Sequence, residues 1–165
     1  MGHFSVEATE GRQLLGYGLS GLVFCYRDPM GKPYLKSDGK AFYRIKPDWE
    51  SLKCKTQPAK KPPKYLSPKQ EGCRPYFSLV YRGWKSAIQS SNIDLWETEG
   101  EKKGDCGCQY DLAVLAFSGV YGWLDKCDRK TGKPLAQSRP LPELEVIEWK
   151  NRKVYQCFDS DIIEK

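Results

Sequence analysis

Carboxylates at the ends of two β-prone runs are the residues of this chain best placed to do chemistry. The run through Ile93 and Leu95 leads into Glu97-Thr98-Glu99-Gly100-Glu101, and Val154-Tyr155-Gln156-Cys157-Phe158 leads into Asp159-Ser160-Asp161. In an open α/β sheet, reactive groups collect where strands stop, because the loops there are held by a rigid scaffold yet face solvent. A Glu at one strand end and an Asp-x-Asp at another would gather three carboxylates around one divalent cation. Hard oxygen ligands of that kind favour Mg2+ or Mn2+ over zinc. An ion so held neutralises phosphate charge and stabilises displacement at phosphorus, while a carboxylate handles protons. Taken singly, Glu-Gly and Asp-x-Asp are common solvated turns. Their joint placement carries the reading.

The elements that must position these groups follow from patterning. Leu112 to Phe117 is a nearly continuous apolar run of strand length, as a central parallel strand requires, and Ser118-Gly119 closes it. From Glu101 the polar Lys102, Lys103, Asp105 and Gln109 predict a helix, which Gly104 and Gly107 each weaken by about 1 kcal/mol against Ala. Pro142 predicts the start of a second helix over Leu141–Trp149, returning the chain to a strand at Val154–Phe158. That alternation implies a parallel sheet with right-handed crossovers. Upstream, Leu22–Tyr26, Ala41–Ile45 and Tyr76–Val80 read as strands, with turns at Asp28–Gly31 and Ser37–Gly39. Trp84–Ile88 reads as a short helix with its two end residues on one face. Residues 1–20 read as a short helix or irregular lead-in, 126–140 as an exposed insertion, and Trp123 as core.

The totals narrow the class. A chain of 165 residues with 39% apolar and 13% aromatic side chains can bury one core, or a main domain and an appendage. No apolar run approaches the roughly 20 residues of a membrane span, and no secretory signal precedes the first strand, so a cytoplasmic protein without membrane association is expected. Seven cysteines in that context read as reduced thiols, and Cys106-x-Cys108 lacks a second pair for zinc. The lone His3 sits near the terminus, which disfavours Ser-His or Cys-His catalysis. A net charge of +6 suits an anionic partner. Residues 53–69 hold six lysines and four prolines with no acid, so they should form an extended arm. Lys60, Lys61 and Lys64 either serve solubility or contact phosphates without reading sequence; Lys102 and Lys103 are open to the same pair of readings.

Glu99-Gly100, the turn Ser118-Gly119-Val120 and Asp159-Ser160-Asp161, in that order, resemble the Toprim domain shared by topoisomerases and bacterial-type primases. The run Glu99–Lys103, the segment Gly119–Trp123 and Phe158–Asp161 are similar to Toprim-like domains in replication proteins of plasmids, phages and other mobile elements. That resemblance implies an α/β fold: a β-rich amino-terminal part (1–90, with the basic arm) and a Toprim-like, mainly parallel sheet flanked by helices (91–165). It also implies Glu99 as general acid or base, with Asp159 and Asp161, assisted by Glu101, holding Mg2+ or Mn2+. Toprim domains continue past the Asp-x-Asp strand, whereas this chain stops four residues after Asp161, so a domain truncated at its carboxyl end is expected. The implied activity is primer synthesis on DNA, with RNA as the alternative template. Nucleotides would be substrates, and a helicase or the rest of a longer replication protein would be the partner. A non-catalytic nucleic-acid-binding module and a metal-dependent nuclease are the alternatives.

Overall fold

The computed structural model describes residues 3–7, 10, 18–48, 63–129, 131 and 133–159. They form a mixed α/β fold with three sheets and few helices. Strands β1 (His3–Val6), β2 (Gly21–Cys25) and β3 (Tyr43–Pro47) make an antiparallel sheet in that order. A second sheet has the order β4-β6-β5-β9, built from β4 (Tyr76–Phe77), β5 (Leu95–Glu99), β6 (Ala113–Phe117) and β9 (Val154–Cys157). Its β5, β6 and β9 run parallel, and β4 is antiparallel on the edge. Strands β7 (Leu124–Cys127) and β8 (Pro134–Pro140) form a hairpin. Helix α1 (Trp84–Gln89) precedes β5, and helix α2 (Glu101–Gln109) joins β5 to β6.

Strand β6 is apolar throughout because both its faces are covered. By the alternation of a strand, Val114 and Ala116 share the face that meets α2. Leu115 and Phe117 share a core with Trp84, Ile88, Leu141, Leu144 and Ile147. Ala116 also joins Phe24, Tyr26, Phe42 and Tyr76 in a second cluster, through which the amino-terminal sheet packs on the parallel one. Two rings of that cluster, Tyr26 and Tyr76, lie 5.2 Å apart.

Gly104 and Gly107 cost helix propensity, and the packing explains why they are there. A Cβ on Gly104 would stand 2.8 Å from the Ala116 Cβ, and one on Gly107 2.5 Å from the Val114 Cγ2. Glycine lets α2 lie directly on β6. Gly104→Ala and Gly107→Ala should therefore each destabilise the fold by about 1–3 kcal/mol through overpacking, outweighing the ~1 kcal/mol of helix propensity gained. Urea midpoints would show this; a midpoint at or above the parent's would mean that α2 does not sit so close.

Several sequence expectations are corrected. The helix expected over Leu141–Trp149 is only a 3-10 turn at Pro142–Leu144. Leu141, Leu144 and Ile147 are buried at a spacing of three, and the Glu148 N–H is taken by the Ile88 carbonyl at 2.8 Å, away from any helical ladder. In the lead-in, His3–Val6 is a strand, because it finds the open edge of β2. His3, near the terminus, is anchored there: its Nδ1 lies 2.6 Å from the Asp105 carboxylate. Strand β4 stops at Phe77, where Ser78 donates to the buried Asp105 Oδ1 at 2.5 Å, beside the Tyr76 hydroxyl at 2.9 Å. Trp123 is 38% exposed and not core. The turns at Asp28–Gly31 and near Gly39 are present, as is the α1 face formed by Trp84 and Ile88. No helix among the described residues is long and apolar enough to cross a membrane.

Candidate nucleic-acid site at the strand ends

Strands β5, β6 and β9 end side by side, and the residues just past them define a cleft of about 470 Å³. Glu99 closes β5, and Gly100, at φ 88°, turns the chain into α2 with its N–H on the Phe117 carbonyl at 2.8 Å. That backbone conformation suits glycine, which leaves the turn open toward the cleft. Ser118 follows β6, and Asp159 follows β9. The opposite wall comes from the amino-terminal sheet: Arg44 and Lys46, two residues apart and so on one face of β3, with Lys64 and Tyr65.

Six residues singled out from sequence line this cleft: Glu99, Glu101, Asp159, Lys64, Lys102 and Lys103. They come from separate chain segments that only the fold brings together. Asp161, Lys60 and Lys61 lie outside the described residues.

The three carboxylates differ in state. Glu101 is 1% exposed, and its Oε1 accepts from the Tyr26 hydroxyl at 2.6 Å and from the Arg44 guanidinium at 2.5 Å. Its Oε2 is buried without a hydrogen bond. Arg44 is further held by the Ser67 hydroxyl at 2.9 Å and by the Tyr65 ring, 5.1 Å from its guanidinium carbon. Burial, reinforced by the Glu101 charge, pushes the Tyr26 hydroxyl well above its usual range, so it stays a donor. Asp159 is exposed and ion-paired with Lys103. Glu99 has no hydrogen-bond or ion-pair partner among the described residues.

The cations are more numerous than the acids. Arg44, Lys46, Lys64, Lys102 and Lys103 face three carboxylates, which leaves the cleft positive. Lys46, Lys64 and Lys102 pair with no carboxylate among the described residues. The Lys102 ammonium stands close enough to Lys46 to hold its pKa below the usual lysine range. Two ammonium groups kept together at the mouth of a helix whose N-terminus has no side-chain cap make an environment that favours an anion between them. The arrangement can take a phosphate.

For a divalent ion the donor chemistry fits, and Glu101 Oε2 is an orphaned buried oxygen of the kind such an ion takes up. Among the described residues no three acidic, His or Cys side chains are gathered closely enough to hold one. A complete ligand set would therefore draw on Asp161 or solvent. Cys106 and Cys108 diverge: the first is exposed, and the second is buried, its thiol pushed by burial up to about 11.

A family model described as "Domain of unknown function (DUF3854)" matches residues 83–165, half of the chain. The chain belongs to that family. In this DUF3854 protein the match covers β5, α2, β6 and β9, and with them Glu99, Glu101, Lys102, Lys103 and Asp159. Arg44, Lys46, Lys64 and Tyr65 precede it, so the second cationic wall is built from residues outside the family match. An uncharacterized protein of Picosynechococcus sp. is 28% identical over 123 residues, covering 62% of this chain and 12% of that protein. The DUF3854 chain thus spans about 12% of the length of this curated relative. No solved structure matches it.

Sequence reading missed Arg44 and Lys46. For Arg44 a signal was present, since a charge inside the apolar run Phe42-Tyr43-Arg44-Ile45 predicts a buried partner; for Lys46 there was none.

Proposed function

We propose that this chain is a Toprim-like domain of a nucleic-acid replication protein, acting on phosphates at the ends of its parallel strands. The observation that supports it most is the convergence of Glu99, Glu101, Asp159 and the lysines Lys64, Lys102 and Lys103 on one positive cleft. Lys46 and Lys102 would hold a strand or nucleotide phosphate, with the N-terminus of α2 beside it. Glu99, the carboxylate free of partners among the described residues, would move the proton at the attacking hydroxyl. Mg2+ or Mn2+, held by Asp159 and Asp161 with Glu101 Oε2, would supply neutralisation of the phosphate charge. The reaction proposed is primer synthesis. Template-directed nucleotide incorporation in Mg2+ or Mn2+ tests it: incorporation should appear with the parent protein and be lost in Asp159→Ala. Full incorporation by that variant would sink the assignment, and nicking of a plasmid in Mn2+ without incorporation would replace it with a nuclease.

A second reading is a binding module without catalysis. The observation that favours it is that Glu101 and Asp159 are each already engaged by a cation. It predicts nucleic-acid binding that survives chelation and Asp159→Ala. On both readings Lys46→Ala and Lys102→Ala should each weaken binding to any sequence and lower the log–log salt slope by about 0.9, as expected for one phosphate contact removed. A slope unchanged in both variants would move the phosphates elsewhere.

A further inference from the structure

A second concavity, of about 550 Å³, lies beside the cationic cleft and shares its framework. The two are linked through neighbouring residues on three chain segments. Glu99 lines the first and Glu97 the second; Ser118 the first and Val120 the second; Asp159 the first and Phe158 the second. Its walls are aromatic. Trp123 is 38% exposed, and Trp149 is exposed to the same extent. Trp149 is held by its indole N–H on the Leu144 carbonyl at 2.9 Å, so its ring is preset before anything binds. At one side, paired across β5 and β9, stand Glu97 and Gln156, whose carboxylate and amide approach at 3.4 Å. Open indole faces, with a carboxylate and an amide at their margin, suit a flat heterocycle that carries hydrogen-bond donors and acceptors on its edge. They suit a lipid chain less well, since it offers no hydrogen-bond donor or acceptor to the carboxylate or the amide.

We infer that this aromatic hollow receives an unstacked base of a single-stranded nucleic acid whose phosphate lies in the adjoining cationic cleft. The inference rests on the phosphate-binding reading of that cleft and adds to it the form of the ligand. Trp123 and Trp149 supply sequence-tolerant stacking, since every base offers a π face. Glu97 and Gln156 meet the base edge. A duplex, with its bases stacked inside, could fill the cationic cleft but not the hollow beside it.

The test compares two probes on the full chain: a thymidine decamer, and an abasic deoxyribose-phosphate strand of the same length. The parent should bind the thymidine strand about tenfold more tightly than the abasic one, the contribution of one stacked base. Trp123→Ala should abolish that difference without altering affinity for the abasic strand, and Trp123→Phe should restore most of it. Circular dichroism of both variants shows whether the fold is kept. Equal affinity of the parent for both strands, or an undiminished preference in Trp123→Ala, overturns the base hollow while leaving phosphate binding in place. Failure to bind either strand removes the phosphate reading and this inference together.

Discussion

Replacing Glu101 by alanine is expected to remove about 3–5 kcal/mol of folding stability, a large share of what a domain of this size possesses. Glu101 is 1% exposed and Arg44, its partner, 8% exposed, so truncating either strands a charge away from water. The loss is compounded at the Tyr26 hydroxyl, which donates to the same oxygen. It also falls where the two halves of the fold meet. Arg44 belongs to β3 of the amino-terminal sheet, whereas Glu101 opens α2 over the parallel one. Arg44→Ala should be comparably damaging. Replacing both together, Glu101→Leu with Arg44→Met, should recover part of the loss, because a buried pair stabilises little relative to apolar residues of similar volume, while the Tyr26 hydroxyl is still left without these partners. Urea unfolding of the singles and the double gives the coupling. Singles that lose less than about 1 kcal/mol and simply add would show the pair to be more solvated than this geometry implies.

The second large effect separates chemistry from stability. Glu99→Gln should lower template-directed incorporation by about 10²- to 10⁴-fold, the range associated with a general acid or base. Its urea midpoint should stay at the parent value, because Glu99 is only partly buried and bonds to no other described residue. Glu101 behaves in the opposite way, since its removal costs the fold first. A Glu99→Gln protein with parental incorporation would transfer the proton-handling role to another group; Glu97, whose carboxyl is pushed up by burial, is two residues back along β5.

What could be read from sequence here divides along physical lines. Strand β6 was legible because covering both faces of a strand demands an unbroken apolar run, and Ala113–Phe117 is one. Strand β5 and helix α2 were legible through the change from β-prone residues to polar ones at Gly100. The gathering of Glu99 and Asp159 followed from parallel strands ending together, since a common direction puts their carboxyl ends at one edge. Other features depended on long-range partners that periodicity does not encode. His3–Val6 becomes a strand because β2 has a free edge, and Leu141–Trp149 fails as a helix because Ile88 takes one of its donors. Gly104 and Gly107 looked like defects, and only the approach of α2 to Ala116 and Val114 explains them. Arg44 and Lys46 lie more than fifty residues before Glu99, so even with the buried charge at Arg44 legible, their place in the second wall of the cleft shows only once the sheets are docked.

Lysine footprinting tests the central claim most directly. The protein is acetylated under limiting reagent, with and without a bound single-stranded oligonucleotide at low salt, and the rate of modification is read at each lysine by mass spectrometry. Lys46, Lys64, Lys102 and Lys103 should be shielded together by the strand, while Lys32 and Lys40, exposed and lining neither the cleft nor the hollow, should react at an unchanged rate. If the strand binds and those four lysines remain as reactive as before, the cleft at the strand ends is not where this protein holds nucleic acid.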